Sequence, residues 1–167
     1  MKKILLSLLL LALPFIANGQ QIKFGYFSYQ EALKAMPDYA IAQQNLSDLR
    51  SKYDAETKRS EDEFNKKYEE FLEGQRDFAP SIRDKRQAEL TELMEKNIAF
   101  KEEAKRLLKQ AEHDAYAPLR QKLSAALQKI GRSRGYAFIL NTDNDTVPYI
   151  DPTMGEDINM IVKDALK

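Results

Sequence analysis

The sequence predicts an α+β chain, mainly α, in which a long antiparallel coiled-coil hairpin is carried by a small β-rich body. Three observations predict it. Two long stretches hold small or apolar residues on rows eleven residues apart, one cluster of helix-breaking residues separates them, and strand-length apolar runs lie outside them at both ends. Ala42, Tyr53 and Phe64 form the row of the first stretch. Leu93, Ala104, Ala115 and Ala126 form one row of the second, and Asn97, Leu108, Leu119 and Ile130 another. An eleven-residue repeat over three turns departs little from the ideal helix, so it predicts nearly straight or weakly right-handed pairing rather than a left-handed supercoil. The expected limits are a leader over 1–19, a body from 20–37 with 131–167, and an arm over 38–130 whose tip lies at about 74–81.

Met1-Lys2-Lys3 is a basic start, Ile4 to Leu13 is apolar apart from Ser7, and Ala17-Asn18-Gly19 puts small residues at the cleavage positions. A run that short, with those flanks, is a secretory signal rather than a membrane span. Cleavage after Gly19 is expected, leaving an exported chain that begins at Gln20. No lipoprotein cysteine stands there to anchor it. Cys and Trp are absent, so neither disulfides nor thiolate metal sites are available and stability rests on packing. Formal charge is balanced at 26 basic and 26 acidic residues, and becomes about two units negative without Lys2 and Lys3. There is no global basic footprint for nucleic acid. Acids outnumber bases from Asp48 to Asp77 and bases outnumber acids from Arg83 to Arg134, which lets the two arms attract each other.

After the leader, Ile22, Phe24 and Tyr26 alternate with Gln21, Lys23 and Gly25, the period of a strand with one buried face. Ser28 to Glu31 reads as a capping box, with Glu31 reaching back and Phe27 set to staple on Ala32. A short helix then runs to about Met36. Pro37 suits the first turn of the next helix, and Asp38 there complements its dipole. The inward stripe of that arm weakens at Thr57 and Ser60. Gly74 and Phe78-Ala79-Pro80-Ser81 break it, and Ser81 with Asp84 repeats the capping pattern for the returning arm. A fold-back at Pro80 would set Ala42 level with Pro118, which removes a helix hydrogen bond and is read as a hinge between arm and base.

Gly131 and Gly135 mark the helix end after Ile130, and Tyr136 to Leu140 is an apolar run of strand length. Asn141 to Thr146 has turn chemistry, so Val147 to Ile150 is expected to return as an edge strand and close a hairpin. A final helix from about Glu156 to Lys167 buries Ile158, Ile161, Val162, Ala165 and Leu166; Thr153 with Glu156 is a second capping box at its start. A body of about 50 to 60 residues rarely builds an adequate core alone, which points to self-association through it.

The search for chemistry finds little. His113, the only histidine, lies in the charged run Gln110 to Asp114 and reads as a solvated side chain. Asp143-Asn144-Asp145 opens like a calcium loop, but no Gly or closing Glu follows, and a turn accounts for it. No phosphate loop, nucleophile elbow or ligand cluster is present, so no catalytic residue, metal or cofactor is assigned. Leu72, Leu90, Met94 and Ile98 fall off the eleven-residue rows, in one zone toward the tip with Phe78 nearby. They are a candidate binding surface, because exposed apolar patches mark binding sites.

The ordered set of the leader, the strand Ile22 to Phe27, the charged hairpin, Pro118-Leu119 before Ile130, the run Gly135 to Leu140 and the closing stretch Glu156-Asp157-Ile158 to Val162-Lys163 resembles the Skp/OmpH family of periplasmic chaperones. The resemblance implies a jellyfish-like homotrimer, with a body built across three subunits and three helical tentacles around a cavity. Ile22, Phe24, Tyr26, Phe138, Leu140, Ile158, Ile161 and Val162 are then the expected body and trimer core. It implies an ATP-independent holdase for unfolded outer-membrane proteins in the periplasm, with peripheral contact to membrane or lipopolysaccharide. This chain departs from the markedly basic members in being slightly acidic, which weakens electrostatic capture of anionic partners. The competing reading is a structural coiled-coil spacer or adaptor of the envelope.

Overall fold

The computed structural model describes residues 22–167; the expected leader lies outside the described residues. The elements run β1 (Phe24–Phe27), α1 (Tyr29–Lys34), α2 (Pro37–Gly74), α3 (Pro80–Arg134), β2 (Phe138–Asn141), a 3-10 turn (Asp143–Asp145), β3 (Gly155–Asp157) and α4 (Asn159–Ala165). The protein is mainly α with one small sheet. It divides into two compact units, one of the described residues up to Ala35 together with Lys122–Lys167, the other Met36–Gln121.

In the first unit β1 is the central strand of a parallel sheet ordered β2-β1-β3. Phe24 is in register with Phe138 and Gly155, and Tyr26 with Leu140 and Asp157. Parallel neighbours cannot be joined by tight turns. The link from β1 to β2 is accordingly long, and the expected hairpin is not formed: residues 147–150 are not strand. Local chemistry explains why. Asp143 accepts from the Ser28 hydroxyl at 2.6 Å and the Gln30 amide at 2.9 Å, and Asn144 and Asp145 adopt φ of 56° and 54°. These ties turn the chain toward the start of α1, and Pro148 brings no donor for a ladder. Asp151 then turns it again, its carbonyl accepting from Gly155 N at 3.0 Å. Gly155 is required where it stands, since a Cβ there would lie 2.6 Å from the Phe24 ring.

The last helix begins at Asn159 rather than Glu156, which is part of β3. The Asp157 carboxylate accepts from Asn159 N at 2.9 Å, while Thr153 is held by Asp151 through its own amide and hydroxyl. Ile158, Val162 and Leu166 are buried at successive turns, an apolar stripe at helical spacing. Ile161 is half-buried and Ala165 exposed. At the start of the unit the capping box is half made. Glu31 N donates to Ser28 Oγ at 3.1 Å, but the Glu31 carboxylate reaches Lys163 at 2.7 Å instead of turning back.

Helix α3 passes through Gly131 and ends at Arg134, later than expected. Gly135, at φ +67°, supplies the left-handed residue that stops it: Tyr136 N donates to the Gly131 carbonyl at 2.9 Å, and Gly135 N to that of Arg132 at 3.4 Å. This is a Schellman cap. Leu123 and Ile130 are buried upstream of it.

In the second unit α2 and the Pro80–Gln121 portion of α3 form the hairpin. Pro37 sits in the first turn of α2 as its position predicts, after an extended Met36. Ala42 and Ala104 are buried, and Tyr53, Phe64, Leu93, Asn97, Leu108 and Ala115 are half-buried, so the eleven-residue rows do face inward. Tyr39 stacks on Tyr116 at 5.4 Å, and the Tyr53 ring meets that of Phe100 at 6.2 Å in a tilted arrangement. These pairs centre the fold-back between Gly74 and Pro80 rather than at Pro80. Pro118 is thus level with the first turn of α2 and not with Ala42. Ser81 does not cap α3; the Ala79 carbonyl accepts from Ile82 and Arg83, and Pro80 takes the first helical position.

Candidate functional site

Gly74 and Phe78 build the tip. A Cβ on Gly74 would lie 2.5 Å from Phe78 Cζ, so only glycine lets the Phe78 ring close over the end of α2, where it meets Phe71 at 6.4 Å. Below this plug Leu90 is buried against the seam. Leu90 and Phe71 line two openings in the hairpin. One, of about 120 Å³, also has Phe78, Lys67, Glu70 and Arg86 in its wall.

The other opening is a groove of about 380 Å³, walled by Phe64, Tyr68, Phe71, Leu90 and Met94 with Gln75, Arg83, Gln87 and Thr91 at its edges. Phe64 and Tyr68 stack nearly parallel at 5.9 Å. Tyr68 and Met94 are each 44% exposed, an arrangement that leaves apolar area in water on a hairpin otherwise dense with charge.

Farther from the tip the seam turns polar. Asn97 Nδ2 donates to the Ser60 carbonyl at 3.0 Å, and Lys101 pairs with Glu61 across the arms. A wider groove of about 650 Å³ follows, with Tyr53, Thr57, Ala104 and Leu108 in its wall and Lys101, Lys105 and Lys109 along α3. Small side chains at Thr57 and Ala104 leave that space.

In the first unit the two sheet faces differ. Gly25 faces Ile158 and Tyr136, each 3.1 Å from a Cβ placed there, and a Cβ on Gly131 would lie 3.6 Å from Ile139; α4 and the end of α3 therefore cover this side. The other side carries Phe24, Tyr26, Phe138 and Leu140. Phe24 stacks on Phe138 at 5.3 Å, yet Phe138 is 46% exposed. At the sheet margin Glu156 gathers Tyr136, Arg134 and Lys23. The hydrogen bond from Tyr136, together with the two cations, holds its carboxyl below the usual range, while burial pushes the Tyr136 phenol up.

Among the described residues no group of three or more His, Asp or Glu side chains is placed to hold a metal, and no helix is long and apolar enough to cross a membrane. His113 is exposed beside Asp114 at 3.2 Å. Asp143 serves the Ser28 turn.

The family model for outer membrane protein, OmpH-like, matches residues 23–166. The chain belongs to the OmpH-like family. A crystal structure from Caulobacter crescentus CB15, assigned provisionally as an OmpH-like outer membrane chaperone, superposes on this OmpH-like chain with a TM-score of 0.69 at 15% identity, covering 86% of this chain and 82% of the other. At that identity the likeness is one of fold. No curated protein matches the sequence.

The tip residues singled out in the sequence separate in the structure. Met94 and Leu90 line the larger groove and Phe78 the smaller cavity. Leu72 and Ile98 are exposed but do not line either opening. Phe64, Tyr68 and Phe71 also line the groove. Their spacing fits the inward stripe, and periodicity cannot show that the seam opens there. Of the body residues, Ile158 and Val162 are buried, Phe24, Tyr26, Leu140 and Ile161 half-buried, and Ile22 and Phe138 exposed. Pro118 is exposed inside α3.

Proposed function

We propose that this OmpH-like protein is an ATP-independent periplasmic holdase that binds unfolded outer-membrane proteins between three helical arms and delays their aggregation. The observation that carries the reading is the open apolar groove on a charged hairpin, with Leu72, Met94 and Ile98 also presenting apolar surface to water. Family membership and the fold of the Caulobacter protein support a chaperone-type role. Each contact is worth about 25 cal/mol per Å² of apolar area removed from water, and many weak contacts within an enclosure add through effective concentration. No single strong site is needed for that work.

The homotrimer belongs to the same proposal. The Phe24, Tyr26, Phe138 and Leu140 face of the sheet is apolar and partly open, and a second and third copy are its proposed cover. Export, with cleavage near Gly19, places the protein in the periplasm.

Changing Leu72, Met94 and Ile98 together to Ser tests the client surface by light scattering from an unfolded β-barrel protein. The variant should keep its assembly and let aggregation rise. Moderate salt should weaken protection only slightly in the wild type, because screening acts on charge and not on apolar burial. Full protection by the triple variant, combined with loss of protection in salt, would make capture electrostatic and remove this surface from the mechanism.

A further inference from the structure

We infer that the 380 Å³ groove between Tyr68 and Met94 is a receptor for single aromatic side chains of an extended polypeptide; the inference rests on the holdase reading and names what its surface selects. A cavity of about 150 Å³ takes a benzene ring, so this groove has room for a Tyr or Trp ring with part of the adjoining backbone. Its walls suit a ring better than an aliphatic chain. Phe64 and Tyr68 lie parallel at 5.9 Å and offer further ring faces and edges to stack upon. Met94 brings a polarizable sulfur that favours aromatic neighbours.

The rim is equally selective. Arg83 is the one charged side chain in the lining, and its nearest carboxylate, on Asp84, stands 4.0 Å away. The guanidinium is thus available to a π face. Gln75 uses its amide N–H₂ on the Leu72 carbonyl at 3.2 Å, which leaves its side-chain oxygen to accept from a phenol O–H or indole N–H. No carboxylate lines the groove to draw in a Lys or Arg side chain. Outer-membrane β-barrels carry aromatic girdles at both interfaces, so chains of that class would present such rings repeatedly.

The protein has no Trp, which makes the fluorescence of N-acetyl-tryptophanamide a clean report on binding to the full mature chain. Saturable binding is expected, with N-acetyl-tyrosinamide competing and N-acetyl-leucinamide competing at least tenfold less well. Arg83→Gln should weaken binding about two- to fivefold, the size of an exposed cation–π contact. Met94→Ala should weaken it further, and Lys105→Gln, on the same helix but outside the groove, should leave it unchanged. Equal competition by the leucine amide, or binding unaffected by both groove variants, would overturn the inference. Client protection that persists without ring binding would remove only the aromatic receptor, whereas ring binding without client protection would remove the holdase reading.

Discussion

Glu156 shows how much one side chain carries in the sheet unit. It closes the margin of β3 by accepting from the Tyr136 hydroxyl and pairing with Arg134 and Lys23, and its carboxyl is held below the ordinary Glu range chiefly by the Tyr136 hydrogen bond. A depressed folded-state pKa contributes stability that is fully present above the unfolded value, about 4.3, and is lost as pH falls through the folded one. Glu156→Gln should therefore lower stability at neutral pH and flatten its decline below about pH 4.3, measured as urea midpoints at pH 7 and pH 3. An unchanged acid limb would contradict the assignment. The role was not legible in the sequence, where Glu156 read as the start of a helix. Its partners come from distant stretches, and only the parallel sheet brings them together. Ser28 was legible because its cap is made within three residues; Glu31 was not, because Lys163 competes for it from the far end of the chain.

At the scale of elements, long periodicity makes the inward rows of the arms legible in the sequence, whereas a short segment that depends on distant partners is not. Ala42, Leu108 and Ala115 face inward as the eleven-residue rows require. Residues 147–150 looked like a strand because they are apolar and follow a turn, but Asp143 is tied to Ser28 and Gln30, and Gly155–Asp157 takes the free edge of β1. Asn97 is the polar exception in the rows. Its bond to the Ser60 carbonyl can form in only one alignment, so it selects the register of two helices whose rows would tolerate others. Asn97→Leu should change stability by no more than about 1.5 kcal/mol while giving more than one set of amide NMR signals from the hairpin. A single unshifted set would show that apolar packing alone aligns the arms. Pro118 belongs to the same scale. It leaves one helix carbonyl without its amide donor, and Pro is about 3 kcal/mol less favourable than Ala in a helix interior. Pro118→Ala should slow amide hydrogen exchange for the turns around 114–122. Unaltered exchange would leave the proline without a role as the proposed hinge.

For the whole molecule, the two units pose complementary physical problems. The sheet unit has one covered face and one bearing Phe24, Tyr26, Phe138 and Leu140, and the hairpin leaves the Tyr68 and Met94 groove in water. The proposed trimer covers the first and the proposed client fills the second. Phe138→Asp would set a charge on the open sheet face and should convert trimer to monomer in sedimentation, while far-UV circular dichroism of the long helices changes little. A variant that stays trimeric would move the interface elsewhere. The measurement that bears most directly on the proposed holdase is the native mass of the mature protein in solution, alone and after mixing with a urea-diluted β-barrel protein, with no nucleotide present. The expected masses are three chains alone, and three chains with one soluble client after mixing. A monomer that forms no complex and leaves the client to precipitate would contradict the account.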